Sequence, residues 1–73
     1  MTVKTASGSV YLLSHKENKI FLMKGMKEYL VEKVSFGIGL PLEIECRELN
    51  MITYQESPDT VTIRTTPVVE VEF

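Results

Sequence analysis

Apolar and polar residues alternate through the run Thr60-Val61-Thr62-Ile63-Arg64-Thr65-Thr66-Pro67-Val68-Val69-Glu70-Val71-Glu72-Phe73, almost without fault on either side of one proline. A period of two sends successive side chains to opposite faces of an extended chain, so the run predicts two strands, each with one buried and one wet face. Pro67 has no N–H to give to a ladder and marks the expected bend between them. Before the bend, Val61 and Ile63 are expected inside and Arg64 outside; after it, Val69, Val71 and Phe73 inside, with Glu70 and Glu72 in water.

The same reading applies upstream. Thr2 to Thr5 predicts a short first strand, and the small residues Ala6-Ser7-Gly8-Ser9 predict the turn into a second at Val10-Tyr11-Leu12-Leu13. A polar cluster, His15-Lys16-Glu17-Asn18, predicts the next turn. In Lys19-Ile20-Phe21-Leu22-Met23-Lys24, Ile20 and Leu22 share one face while Lys19, Phe21 and Met23 share the other. Gly37-Ile38-Gly39-Leu40-Pro41 predicts a turn or bulge, after which Leu42, Ile44 and Cys46 alternate with Glu43, Glu45 and Arg47. Leu49, Met51, Ile52 and Tyr54 are available for burial before a turn at Ser57-Pro58-Asp59-Thr60.

Met26 to Phe36 fits two patterns. A helix puts Met26, Tyr29, Leu30 and Val34 on one side and Lys27, Glu28 and Lys33 opposite; a strand leaves Glu28 and Glu32 on an otherwise apolar face. The pattern alone slightly favours a helical turn or two.

Six or seven short strands in one domain cover one another only by curling, which predicts an all-β fold, a small antiparallel barrel or strongly bent sheet. The alternative is an α+β fold with residues 26–34 as a short helix. The chain has 73 residues, 44% hydrophobic and 25% charged, a composition that folds but supports only a small core. A lone cysteine, Cys46, offers no internal disulfide, and a cytoplasmic location is the expectation. No window approaches the roughly 18 apolar residues of a membrane span, and the N-terminus lacks the pattern of a secretory signal.

The net charge of -2 is unevenly spread: residues 1–36 carry six lysines against three glutamates, and residues 37–73 carry seven acids against Arg47 and Arg64. Early and late strands pairing with complementary charge is the simpler reading, and separate basic and acidic patches the other.

Three segments, Thr5-Ala6-Ser7-Gly8-Ser9-Val10-Tyr11, Gly39-Leu40-Pro41-Leu42 and Thr65-Thr66-Pro67-Val68-Val69-Glu70-Val71, resemble the opening, centre and close of a group of short phage and bacterial proteins without assigned function. Thr66 stands where serine is usual in that group. The resemblance implies an all-β reading of Met26 to Phe36, which is adopted here, and a phage or prophage context; it implies no activity.

No segment carries a catalytic signature. Gly37-Ile38-Gly39 lacks the third glycine and following helix of a dinucleotide loop, because Pro41 and a strand follow it. Serines, Asp59, Cys46 and the single His15 are the residue types of a triad without its arrangement, and one cysteine with one distant histidine makes no zinc site. Glu43 with Glu45, and Glu70 with Glu72, sit at i and i+2 where exposed solubilising charge is the ordinary reading. The expectation is therefore a non-enzyme without cofactor or metal, with no small-molecule substrate and no membrane. A protein partner or self-association is expected, with exposed strand edges as one means of pairing. Single-stranded or duplex nucleic acid is the alternative partner, through lysines and aromatics of the N-terminal half: Lys4, Tyr11, Lys16, Lys19, Phe21 and Lys24.

Overall fold

The computed structural model describes residues 1–73 and forms six strands: β1 (Thr2–Thr5), β2 (Val10–Lys16), β3 (Lys19–Lys24), β4 (Lys27–Ser35), β5 (Pro41–Leu49) and β6 (Val61–Glu72). Each pairs antiparallel with the next and β6 returns to β1, so the sheet closes into a barrel, the small antiparallel barrel that the alternation predicts. No helix is long and apolar enough to cross a membrane. Closure satisfies the outer ladders of β1 and β6 against each other, which removes the exposed edges expected as a pairing device.

Tight turns set the early registers. Lys16 pairs with Lys19, leaving Glu17 and Asn18 as a two-residue loop at φ 52° and 63°, the double positive φ of a type I′ turn. The strand thus runs on through His15 and Lys16, which the sequence assigns to the turn. Glutamate is a poor occupant of left-handed backbone. The double change Glu17→Asn and Asn18→Gly is expected to stabilise the barrel by about 0.5–1 kcal/mol in urea denaturation; a loss of stability would contradict this turn. Lys24 pairs with Lys27 across Gly25-Met26, where only Gly25 has positive φ.

The helical alternative for residues 26–34 is overturned: Met26 is in the turn and the rest of the stretch lies in β4, paired to β3 on one side and β5 on the other. Its register shifts between Val31 and Lys33, so Val31 lies opposite Cys46 and Val34 opposite Ile44, both on the inner face. The bulge inserts one residue into the period of two, so the inward residues Tyr29, Val31 and Val34 follow a spacing of two and then three, which interrupts the alternation of a regular strand.

The bend expected at Pro67 does not divide two strands. β6 is one strand of 12 residues that pairs with β5 through Pro41↔Pro67 and with β1 from Val68 onward. At this handover the Leu42 N–H donates to the Thr65 hydroxyl at 3.0 Å, Ala6 N–H to the Pro67 carbonyl at 2.8 Å, and Val68 N–H to the Leu40 carbonyl at 2.8 Å. Proline therefore costs the ladder little. A second irregularity, between Lys4↔Glu70 and Thr5↔Val68, leaves Val69 as the extra residue. Val68 is buried in its place, Val69 is exposed, and Phe73, beyond the last pair Thr2↔Glu72, is fully exposed. Val61 occupies an inward register opposite Cys46 but stays exposed, and Ile63 is half-buried.

The core is a cluster of Val3, Tyr11, Leu13, Leu22, Leu42, Ile44, Cys46 and Val68, drawn from five of the six strands; half-buried Tyr29, Val31 and Val34 of β4 pack against it. Leu49 is also buried, yet it belongs to the outward set of β5. The chain after β5 doubles back over it, through the Leu49↔Glu56 bridge and the Ser57 N–H bond to the Glu48 carbonyl at 2.9 Å. Arg47 holds this excursion, donating to the Ser57 and Pro58 carbonyls and, at 2.6 Å, to Glu32. Met51, Ile52 and Tyr54, expected to be available for burial, are exposed on it.

Candidate functional site

The unequal charge of the two halves is used largely at the seams. Lys4 of β1 lies 3.6 Å from Glu70 and 3.9 Å from Glu72 of β6, Lys27 lies 3.4 Å from Glu48, and Arg47 pairs back to Glu32. These contacts join early to late strands, the simpler of the two readings of the charge split. Arg64 and Glu43 pair at 3.4 Å between β6 and β5. Lys16, Lys19, Lys24 and Lys33 have no carboxylate within ion-pair reach.

Of the six residues proposed from sequence as a surface, the barrel gathers three and separates three. Lys16 and Lys19 face each other directly across the β2–β3 hairpin, and Phe21 lies opposite Ser14 on the same outer face. Tyr11 is in the core, 8% exposed, because it shares the inward register of Val3. Its ring is not free to stack on a base. Lys24 covers that ring, with Nζ 5.0 Å from its centroid, a cation–π contact. Lys4 belongs to the β1–β6 seam.

Two features of the outer face were not singled out in the sequence. Leu12 and Met23 are direct cross-strand partners, both exposed by more than two fifths, with exposed Val10 two residues from Leu12 on the same face. A signal was present: Leu12-Leu13 sends one of two adjacent leucines outward, and Met23 shares the face of Lys19 and Phe21. The second feature is a groove of about 380 Å³ lined by Ser14, Lys16, Glu17, Phe21, Glu28 and Tyr54. Tyr54 reaches it from the loop after β5 at φ 58°, held by its N–H bond to the Asn50 carbonyl at 2.8 Å, while the Asn50 side chain accepts from the Ile52 and Thr53 amides. No local pattern in the sequence announces that long-range approach.

A larger cavity, about 480 Å³, opens at the barrel end where β2 meets β3, lined by Met1, Leu13, Ser14, His15, Ile20 and Val34. Ser7, one of the serines noted in the sequence, takes part in a hydroxyl cluster at the first hairpin. Thr5 and Ser7 lie 3.2 Å apart, Thr66 donates to Ser7 at 3.2 Å, and the Ser7 amide donates to Thr66 at 3.1 Å, tying the β1–β2 turn to β6.

Cys46 is buried as its alternation with Leu42 and Ile44 predicts, with Sγ 3.6 Å from the Val61 carbonyl. Burial pushes the thiol up from its ordinary value of 9.0, and the negative charge of Glu32 adds to the shift. The unfolded chain therefore loses this proton at lower pH than the folded one, so stability is full below pH 9.0 and declines as pH rises above it. Cys46→Val is expected to flatten that decline, read as the difference between the two proteins' urea midpoints below and above pH 9.0; parallel declines would contradict it.

The molecule is thus a small closed β-barrel with an apolar outer stripe. Comparison with protein families, curated proteins and solved structures finds no match to the chain.

Proposed function

We propose that this protein is a non-enzymatic β-barrel interaction module that works by protein contact through the outer face of β2 and β3, self-association being its first form. The observation that carries this is the exposed Leu12–Met23 cross-strand pair, extended by Val10, on the outer face of β2 and β3. Because closure leaves no long free edge, contact is made by side chains rather than by strand addition. The three sequence motifs support a phage or prophage origin, and with it a place in the host cytoplasm or the virion.

Sedimentation velocity over a range of concentrations tests the reading. The wild-type protein is expected to associate, and Leu12→Glu to weaken association by at least about tenfold while leaving the fold intact, since Leu12 faces outward. A wild-type monomer at every concentration that also recovers no partner from lysate would overturn it.

Nucleic-acid binding is the second reading, favoured by Lys16, Lys19 and Phe21 on one outer face with Tyr54 across the groove. Glu17 and Glu28 line the same groove and oppose a phosphate backbone, which places this reading second. Anisotropy of labelled oligonucleotides at low and moderate salt separates the two. Salt-sensitive binding, weakened by Lys19→Glu and Phe21→Ala, would promote it, and no binding at low salt would remove it.

A further inference from the structure

The groove of about 380 Å³ beside the outer stripe brings together two kinds of side chain. Phe21 and Tyr54 contribute aromatic rings, and Glu17 and Glu28 contribute carboxylates. Neither carboxylate has a cation within ion-pair reach, although Lys16 lines the same groove. With two glutamates against one lysine, the lining is negative by one charge.

Tyr54 is fixed in place by its loop. It keeps φ 58°, a left-handed backbone that bulky residues rarely adopt, and is nonetheless 67% exposed. The Asn50 turn holds it: the Tyr54 N–H donates to the Asn50 carbonyl at 2.8 Å, while the Asn50 side chain accepts from the Ile52 and Thr53 amides. A strained residue whose ring gains little burial from the fold points to a contact made outside it.

The lining selects the chemistry of that contact. Aromatic faces attract cations and carboxylates bond them, and a planar guanidinium meets both at once, stacking on a ring while its fork of N–H donors faces a carboxylate. An ammonium is a point charge without the flat face. Both arginines of this chain are engaged, Arg47 with Glu32 and Arg64 with Glu43, so a second copy presents no free guanidinium. Phe21 stands two residues from Met23 on the same outer face, which sets the groove beside the apolar stripe.

We propose that the groove receives an arginine side chain of a different protein, with Phe21 and Tyr54 against its flat head and Glu17 and Glu28 accepting its N–H donors, next to an aliphatic side chain seated on Leu12 and Met23. This rests on the reading that the outer face of β2 and β3 contacts protein, and extends it from a second copy to another chain.

The test is amide-resolved NMR titration of the full chain with a blocked leucine-serine-arginine tripeptide and its lysine, citrulline and glutamate counterparts. Saturable shifts at Phe21, Glu28 and Tyr54 are expected with arginine, with lysine about threefold weaker, citrulline at least about fivefold weaker and glutamate silent. Tyr54→Ala and Glu28→Gln, at an exposed loop and opposite outward Met23, are each expected to weaken the arginine peptide about three- to fivefold. Lysine or citrulline binding as tightly as arginine would overturn the proposal, as would oligonucleotides shifting Phe21 and Tyr54 where the arginine peptide does not. Shifts confined to Val10, Leu12 and Met23 would remove the groove and keep the stripe as a protein contact; no shift with any peptide would remove the groove, leaving the stripe to be decided by sedimentation of Leu12→Glu.

Discussion

Ile44→Ala is expected to lower the stability of the barrel by about 3–4 kcal/mol and its melting temperature by roughly 15–25 °C. Ile44 is fully buried, paired on one side with Val34 and on the other with Ile63, and it stands between Leu42 and Cys46 on the best-packed strand. Truncation removes three carbons from a closed sheet whose strands are hydrogen-bonded on both sides, so the walls have little freedom to collapse into the gap. A domain of 73 residues has a total stability of roughly 4–10 kcal/mol, so this one change takes a large share of it. Val69→Ala is the matched control: Val69 is the bulged residue on the outside of β6, and its truncation is expected to cost less than about 0.5 kcal/mol. Thermal and urea denaturation of both variants check the pair. Equal costs would contradict the assignment of Ile44 to the inner and Val69 to the outer face.

Arg47→Met is expected to have the second-largest effect, and a local one. Its guanidinium joins three groups at once: the Glu32 carboxylate of β4 and the Ser57 and Pro58 carbonyls of the excursion after β5. Methionine keeps much of the aliphatic stem against the sheet and deletes the donors. Two carbonyls and a carboxylate then return to water, and the segment covering Leu49 loses its tether. About 1–2 kcal/mol is the expected cost, concentrated in residues 50–60. Limited proteolysis in that segment should accelerate by about tenfold, with little change in amide exchange at Leu22 or Ile44. Unchanged cleavage would show that Leu49 and the Asn50 turn hold the loop without Arg47.

The period of two made the barrel legible, and its failures are equally physical. Leu42, Ile44 and Cys46 fall inside as their alternation requires. At Val31–Lys33 and at Val69 one extra residue shifts the phase: an unbroken alternation puts Val69 inside where Val68 is found, while Val71, opposite Val3, falls inside as expected. The extra residue in β4 interrupts the strand pattern there, and the extra residue in β6 explains why Val69, expected inside, is exposed. Pro67 reads as a break because proline cannot donate to a ladder; its N lies where β6 leaves β5 for β1, and the Thr65 hydroxyl serves the neighbouring Leu42 amide. Phe73 would be inside if the ladder continued past Thr2↔Glu72.

The candidate surface was less legible than the fold. Composition draws Lys4, Tyr11, Lys16, Lys19, Phe21 and Lys24 together, but only register separates inward Tyr11 and seam-bound Lys4 from Lys16, Lys19 and Phe21. Tyr54 enters the groove from a loop more than 30 residues beyond Phe21 in sequence, an approach that depends on the Asn50 turn and the Arg47 tether. Such placements are made by tertiary contacts, which a local pattern does not encode.

Methyl-resolved spectra of the wild-type protein, recorded from dilute to concentrated solution without any ligand, test the use of the outer face most directly. The account predicts progressive shifts at Val10, Leu12 and Met23, with Ile44 and Leu22 unmoved. Shifts confined to Ile38, Leu40 and Val69, the exposed apolar residues on the β5–β6 side, would contradict it by moving the contact to another face of the barrel.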